Sequence, residues 1–175
     1  RRGTPLWPMQ TGGSQEGSRR AGTENVAFIV GLATALELAY REVEETNARV
    51  AALRDKLVAG LLERIPEMEL TGHPTQRLPN SASFVVRYVE GEAMLLNLDM
   101  QGIWASSGSA CTSASLAPSH CLTAMGYPPE IAHGSLRLTL GKDNTEEEIE
   151  RVIDTLPGIV EKLRAMSPLY EPARR

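Results

Sequence analysis

The sequence predicts an α/β chain: a small antiparallel or mixed sheet covered by helices. Three observations lead there. Apolar residues recur at helical spacing from Val26 to Ile65. Two short segments, 81–88 and 135–140, carry strand signatures. Thr145-Glu146-Glu147-Glu148 then opens a second long apolar periodicity with a capping box.

The elements follow in order. Residues 1–24 are rich in Gly, Pro, Ser and Arg and lack periodicity, which predicts loop and extended chain. Such a segment buries little by itself and is expected to lie on another domain or subunit. Val26, Ile29, Val30, Ala33, Leu36, Ala39 and Tyr40 then mark one face of a helix, and Val50, Leu53, Leu57, Leu61 and Ile65 continue it. The pattern fits one long bent helix or two end to end, with Pro66 as its stop. Gly31 costs about 1 kcal/mol in an exposed helix, so it is expected to serve close packing. Residues 69–71 read as a short strand, 81–88 as a strand around Phe84, Val85 and Val86, and 92–100 as a helix burying Met94, Leu95 and Leu98. Residues 102–105 read as another strand and 118–125 as a short helix. In 135–140, Leu136, Leu138 and Leu140 alternate with Arg137 and Thr139, the mark of a half-buried strand. The last helix runs to about Arg164, and Pro157-Gly158 is expected to bend it. Residues 167–175 form a tail.

Composition narrows the function. The chain has 175 residues, a net charge of -4 and 42% hydrophobic residues. That is one medium domain's worth of core, and the acidic balance argues against a general nucleic-acid binder. No apolar run is long enough for a bilayer span, and no signal peptide is legible. Two cysteines, Cys111 and Cys121, make no disulfide framework and no C-x-x-C zinc pattern, which fits a reducing, cytoplasmic setting. Arg1-Arg2-Gly3 opens the chain without an initiator methionine, so the chain is expected to be a piece of a longer polypeptide.

The segment that points to chemistry is Ser106-Ser107-Gly108-Ser109-Ala110-Cys111-Thr112-Ser113. A thiol amid small polar residues has little packing of its own and is free to meet a ligand, as a nucleophilic or sulfur-carrying cysteine must. The same composition also suits a surface cysteine in a linker. Cys121, on the predicted short helix, is expected to be a packing residue. His73 is expected in an exposed turn, and neither His120 nor His133 is assigned a role. The acidic run 146–148 suits a helix start better than a metal site.

Three sets of residues resemble one family. They are Gly12-Gly13-Ser14-Gln15-Glu16 with Arg20-Ala21-Gly22-Thr23-Glu24-Asn25, Val89-Glu90-Gly91-Glu92 with the loop 106–113, and Ala132-His133-Gly134-Ser135-Leu136-Arg137-Leu138-Thr139-Leu140-Gly141 followed by the capping box. In this order, over nearly the whole chain, they resemble the C-terminal part of a cysteine desulfurase, an aminotransferase class-V-like enzyme that uses pyridoxal phosphate. The cysteine loop is the mark of the family's long-loop branch. Trp104 and Gly17 depart from the pattern, which usually has a small residue and often an Arg there.

The resemblance implies a fold. The chain would be the C-terminal domain of a fold-type I pyridoxal-phosphate transferase, with a small, mainly antiparallel sheet, helices over it and a long N-terminal helix. Residues 1–24 would belong to the large cofactor domain and dimer interface, residues 25–166 to the small domain with a mobile loop at about 106–117. It also implies roles. The cofactor is an electron sink for L-cysteine, and the loop thiolate takes its sulfur, leaving alanine and a persulfide. Cys111 matches the persulfide cysteine. Arg137 matches the arginine that grips the substrate carboxylate, although an Arg facing solvent also fits the alternation. Thr23 matches a threonine that contacts the cofactor phosphate across the dimer, and it could equally cap the helix that follows. Arg20 could support the same region. The cofactor-anchoring lysine of the family lies upstream, and none of Lys56, Lys142 and Lys162 resembles it. The chain alone is thus expected to be inactive. The implied partners are a second copy of the enzyme and an iron–sulfur scaffold or other sulfur acceptor, with no nucleic acid and no membrane. Two alternatives stay open: a non-catalytic dimerisation or docking module of the same fold, and a selenocysteine lyase.

Overall fold

The computed structural model describes residues 3–108 and 118–170. Contacts divide the chain into two compact units, one ending at Val43 and the other starting at Glu44.

The first unit opens with extended chain and bends, as expected of its Gly- and Pro-rich sequence. One short turn, α1 (Gln15–Ser18), interrupts it, with Glu16 and Gly17 at positive φ of 52° and 64°. The first half of helix α2 (Val26–Arg64) follows. The cap is Asn25, whose Oδ1 accepts the Phe28 N–H at 3.1 Å. Thr23 therefore does not cap this helix. Helix α2 is continuous over 39 residues, which settles the choice between one helix and two. Its first half carries exposed apolar residues, with Phe28 78% and Tyr40 74% exposed. A Cβ at Gly31 would meet nothing within 4 Å, so the expected close packing is absent among the described residues.

The second unit holds the rest of α2, then β1 (Met68–Leu70), β2 (Ser81–Val86), α3 (Gly91–Asp99), α4 (His120–Ala124), α5 (Pro129–Ala132), β3 (Ser135–Thr139) and α6 (Glu146–Met166). The three strands form an antiparallel sheet in the order β1-β2-β3. Glu69 faces Val85, and Ser83 faces Arg137. Strand β2 stops at Val86, two residues before Tyr88, which has a positive φ of 66°. The core gathers Leu57, Leu61 and Ile65 from α2 and just beyond it, Phe84 and Val86 from β2, Met94 and Leu98 from α3, Leu136 and Leu138 from β3, and Ile149, Ile153 and Leu156 from α6.

Residues 102–105 correct the sequence reading. They form no strand; pairing with β3 is limited to an isolated bridge between Ser106 and Arg137. The apolar run Ile103-Trp104-Ala105 meets strand preferences, but the preceding backbone is used otherwise. Gly102 takes a positive φ of 70°, and the Ile103 N–H bonds the Leu98 carbonyl at 2.9 Å. The segment thus closes the C-terminus of α3, where a left-handed glycine satisfies the last carbonyls. Trp104 stands 87% exposed.

Charged groups fasten the helices. Lys56 on α2 pairs with Glu146 and Glu150 on α6, and Arg64 pairs with Asp154. The Glu146 carboxylate, then that of Glu150, holds the Lys56 ammonium above the usual lysine range. The capping box forms as predicted: Thr145 Oγ1 accepts the Glu148 N–H and the Glu148 carboxylate accepts the Thr145 N–H. Helix α6 runs through Pro157 to Met166 as one element. Buried Arg164 near its end donates to the carbonyls of Pro66 and Arg87.

Candidate functional site

Strand β3 alternates as the sequence predicts: Leu136 and Leu138 are buried, Arg137 and Thr139 exposed. The register against β2 thus turns the Arg137 side chain out of the apolar core. Beside it runs Ser106. The two residues exchange both backbone hydrogen bonds, Ser106 N–H to the Arg137 carbonyl at 3.0 Å and Arg137 N–H to the Ser106 carbonyl at 2.6 Å. The guanidinium Nη2 lies 3.4 Å from Ser106 Oγ. Among the described arginines from Glu44 onward, Arg137 alone has neither a carboxylate nor a backbone carbonyl as partner. Arg49, Arg54, Arg77, Arg151 and Arg164 each donate to carbonyls, while Arg64 and Arg87 pair with Asp154 and Glu69. Its fork of donors is left to take an anion, and a carboxylate fits it with two parallel bonds.

The chain around this arginine is held by three hydroxyl-bearing residues. Besides the Ser106 bridge, the Gly108 N–H donates to Ser135 Oγ at 3.0 Å. Ser119, which sits at the N-cap position of α4, does not cap that helix; its hydroxyl donates to the Gly108 carbonyl at 3.4 Å. Ser119 and Ser135 are both buried, 3% and 6% exposed. Gly108 lies so close that a Cβ there would come 3.2 Å from Ser135 Oγ and 3.5 Å from Leu122. Cys111 lies outside the described residues, as does the whole segment 109–117. That segment leaves the described chain at Gly108 and rejoins it at Pro118, next to Ser119, whose hydroxyl bonds Gly108.

The start of β3 is fixed by backbone contact. The Val86 N–H bonds the Gly134 carbonyl at 2.8 Å, and the Gly91 N–H bonds the His133 carbonyl at 2.9 Å. A Cβ at Gly134 would overlap the Val86 carbonyl oxygen, and one at Gly91 would come 2.8 Å from the Ser135 carbonyl oxygen. Neither position has room for a side chain, which explains the glycines two residues after Val89 and one before Ser135.

Thr23 belongs to the first unit and is exposed. It follows Gly22, at a positive φ of 96°. The Arg20 guanidinium donates to the carbonyls of Gly22 and Thr23 at 3.4 and 3.3 Å, and the Gly22 N–H donates to Gln15 Oε1 at 3.3 Å. These bonds shape the bend that presents Thr23, and its hydroxyl takes no part in the cap of α2.

The remaining candidates divide. His73 Nδ1 accepts the N–H groups of Thr75 and Gln76 at 3.2 and 2.9 Å, a turn-closing role. Cys121 is exposed, with Sγ 3.6 Å from His120 Nε2, and so is not the packing residue expected of it: α4 turns Leu122, not Cys121, into the interior. His133 contributes its carbonyl to the seat of Gly91. Among the described residues no group of His, Cys, Asp and Glu could hold a metal ion. Ser106, Ser119 and Ser135 were not foreseen as site residues. Their partners lie across the fold, so the only signal in the sequence was the serine content of the loop and its flanks.

Known proteins place this geometry. The chain is 57% identical to a cysteine desulfurase IscS of Methanosarcina thermophila over 97% of its length, and 54% identical to the cysteine desulfurase NifS of Azotobacter vinelandii over 97%. It spans 42% of the length of each of these curated relatives. Among solved structures, a NifS-like protein from Rickettsia africae superimposes with a TM-score of 0.77 at 32% identity, covering 89% of this chain and 40% of that one. A second NifS-like protein gives 0.79 at 34% identity, over 93% of this chain and 41% of that one. The small antiparallel sheet with its covering helices is thus the arrangement found in those NifS-like proteins. Aminotransferase class-V sequences match residues 9–152 in one stretch that holds both Thr23 and Arg137, and the chain belongs to that family.

Proposed function

We propose that this chain is the loop-bearing part of a pyridoxal-phosphate-dependent cysteine desulfurase, which takes sulfur from L-cysteine for iron–sulfur assembly or another sulfur-transfer pathway. The observation that carries the reading is Arg137: an exposed guanidinium without carboxylate or carbonyl partner among the described residues, bridged through Ser106 to the chain that leads into a cysteine-containing segment. The identity to relatives named cysteine desulfurase over nearly the whole chain supports it.

The residues present fit part of the cofactor's needs. Thr23, exposed after a left-handed glycine and not used in helix capping, suits a phosphate oxygen. The family resemblance puts the anchoring lysine upstream of this segment, and Lys56 pairs with Glu146 and Glu150. The rest of the cofactor site is therefore assigned to parts of the enzyme that this chain does not contain, including a second copy in a homodimer. When bound, pyridoxal phosphate supplies the electron sink for the substrate's carbon skeleton.

The chain's own residues then act in sequence. Arg137 takes the carboxylate of L-cysteine in a forked contact and fixes which way its side chain points. The Cys111 thiolate attacks the substrate sulfur. A sulfur–sulfur bond forms and the carbon–sulfur bond breaks, its electron pair staying with the carbon, which takes a proton to give alanine. The sulfur is oxidised to sulfane sulfur on Cys111 and the carbon is reduced, so no outside oxidant is needed. A protein thiol of the acceptor then removes the sulfane sulfur, in a cytoplasmic setting.

The test is a reaction of the full-length, cofactor-loaded enzyme with L-cysteine. Peptide mass analysis should find one added sulfur on Cys111, with alanine formed in equal amount. Cys111→Ser should form neither while keeping the cofactor's absorbance. Alanine release at the wild-type rate by Cys111→Ser would overturn the reading and favour a lyase that needs no thiol acceptor. Absence of both products from the wild-type enzyme would favour the docking module.

A further inference from the structure

Arg137 has a hydroxyl-bearing neighbour on each side of β3. Ser83 of β2 stands opposite it in the sheet, and Ser106 stands opposite it across the isolated bridge. Opposed residues of an antiparallel pair turn their side chains to the same face. All three therefore share the face away from buried Leu136 and Leu138. The two hydroxyls are used differently. Ser83 Oγ accepts the Thr71 hydroxyl at 2.8 Å, which ties it to the chain after β1. Ser106 Oγ donates its proton to the Ser107 carbonyl at 3.3 Å, so it meets its other neighbours as an acceptor. The neighbour it meets is Arg137, whose Nη2 lies 3.4 Å away.

The place of Ser106 is fixed through its backbone. Among residues 102–108, Ser106 alone makes backbone hydrogen bonds with β3, and it makes both of them with Arg137. Ile103 and Ala105, just before it, pack against the core. The chain is thus brought up to β3 at the one residue that faces the arginine.

We propose that Ser106 is a positioning residue for Arg137: its hydroxyl holds an Nη2 donor and so aims the guanidinium fork at the carboxylate of L-cysteine. The inference rests on the functional reading above. An exposed arginine turns about several side-chain bonds, and freezing it on binding costs affinity. A neighbour that already restrains it lowers that cost. Nη2 carries a second N–H, and Nε and Nη1 carry the rest, so a single bond to Ser106 leaves a full fork for a carboxylate. The hydroxyl acts through the guanidinium alone. It therefore sets how tightly the carboxylate is held and leaves the rate of the chemistry to other groups.

The experiment compares full-length, cofactor-loaded wild type with Ser106→Ala, Ser106→Thr and Ser83→Ala. Binding of L-cysteine, and of cysteamine, which is cysteine without its carboxylate, is read from the fast change in cofactor absorbance. Alanine release gives kcat and KM. Ser106→Ala should weaken L-cysteine binding and raise its KM roughly fivefold, the worth of one hydrogen bond, with kcat within about twofold of wild type. Cysteamine should bind Ser106→Ala as it binds wild type. Ser106→Thr, which keeps the hydroxyl, and Ser83→Ala, whose hydroxyl is spent on Thr71, should both bind L-cysteine as wild type does. An unchanged KM in Ser106→Ala overturns the inference alone. So does a loss that extends to cysteamine, that Ser106→Thr or Ser83→Ala shares, or that falls on kcat. Failure of the wild-type enzyme to release alanine from L-cysteine overturns the functional reading and this inference with it.

Discussion

At the scale of the residue, the fold separates charges that hold the structure from one that does not. Arg54 and Arg164 are buried; Arg54 donates to the Leu78 carbonyl and the Asp55 carboxylate, and Arg164 donates to the carbonyls of Pro66 and Arg87. Removing either strands carbonyls in the interior, and the cost falls on stability. Arg137 is exposed, and among the described residues its side chain bonds Ser106 Oγ alone. Its replacement should leave folding nearly untouched, within about 0.5 kcal/mol as for other exposed positions. In the full-length enzyme, Arg137→Lys should lower kcat/KM for L-cysteine by roughly 100-fold, because an ammonium cannot reproduce the forked contact. Steady-state kinetics together with a thermal melt checks both halves of this expectation. Arg137 was legible in the sequence because a lone cation in an apolar alternation stands out. Thr23 and Asn25 were not separable there: both suit a helix N-cap, and only the bond from the Phe28 N–H to Asn25 identifies the cap.

At the scale of the element, legibility followed whether a segment's pattern answers to its own burial. Strand β3 and helix α6 were readable because each turns one apolar face into one core, and because the capping box is local in sequence. Residues 102–105 were misread because propensity cannot see that Gly102 folds the chain back over the end of α3. The two bonds at Gly108 were invisible for a like reason: they span 27 and 11 positions. Glycines show the same contrast and allow a direct measurement. Gly134 faces the Val86 carbonyl with no room for a Cβ, whereas a Cβ at Gly158, exposed inside α6, would meet nothing within 4 Å. Gly134→Ala should destabilise the chain by about 3 kcal/mol through overpacking. Gly158→Ala should stabilise it by about 0.5–1 kcal/mol by restraining the unfolded chain. Denaturant unfolding of the two variants should move in opposite directions.

At the scale of the whole molecule, the two compact units differ in how much they bury. Helix α2 has no buried residue before Val50, and then Val50, Leu57 and Leu61 are all nearly inaccessible. Helices gain most of their stability from tertiary packing, so one continuous helix should have two local stabilities. Hydrogen exchange on the chain by itself should show amides of residues 30–43 exchanging much faster than those of residues 53–64. Equal protection along the helix would show that its first half is stabilised by its own sequence.

Strand β3 and its approach carry a last consequence, which concerns how mutations would be tolerated. Within four positions the chain places Gly134, where no side chain fits, and Arg137, whose side chain lends the fold little. A survey of all substitutions, scored once for protein abundance and once for turnover in the full-length enzyme, should part these neighbours cleanly. Gly134 variants should vanish from both scores together. Arg137 variants should accumulate normally and be silent only in turnover. Intolerance to change at nearby positions of β3 and its approach would then have two separate origins, one in packing and one in chemistry.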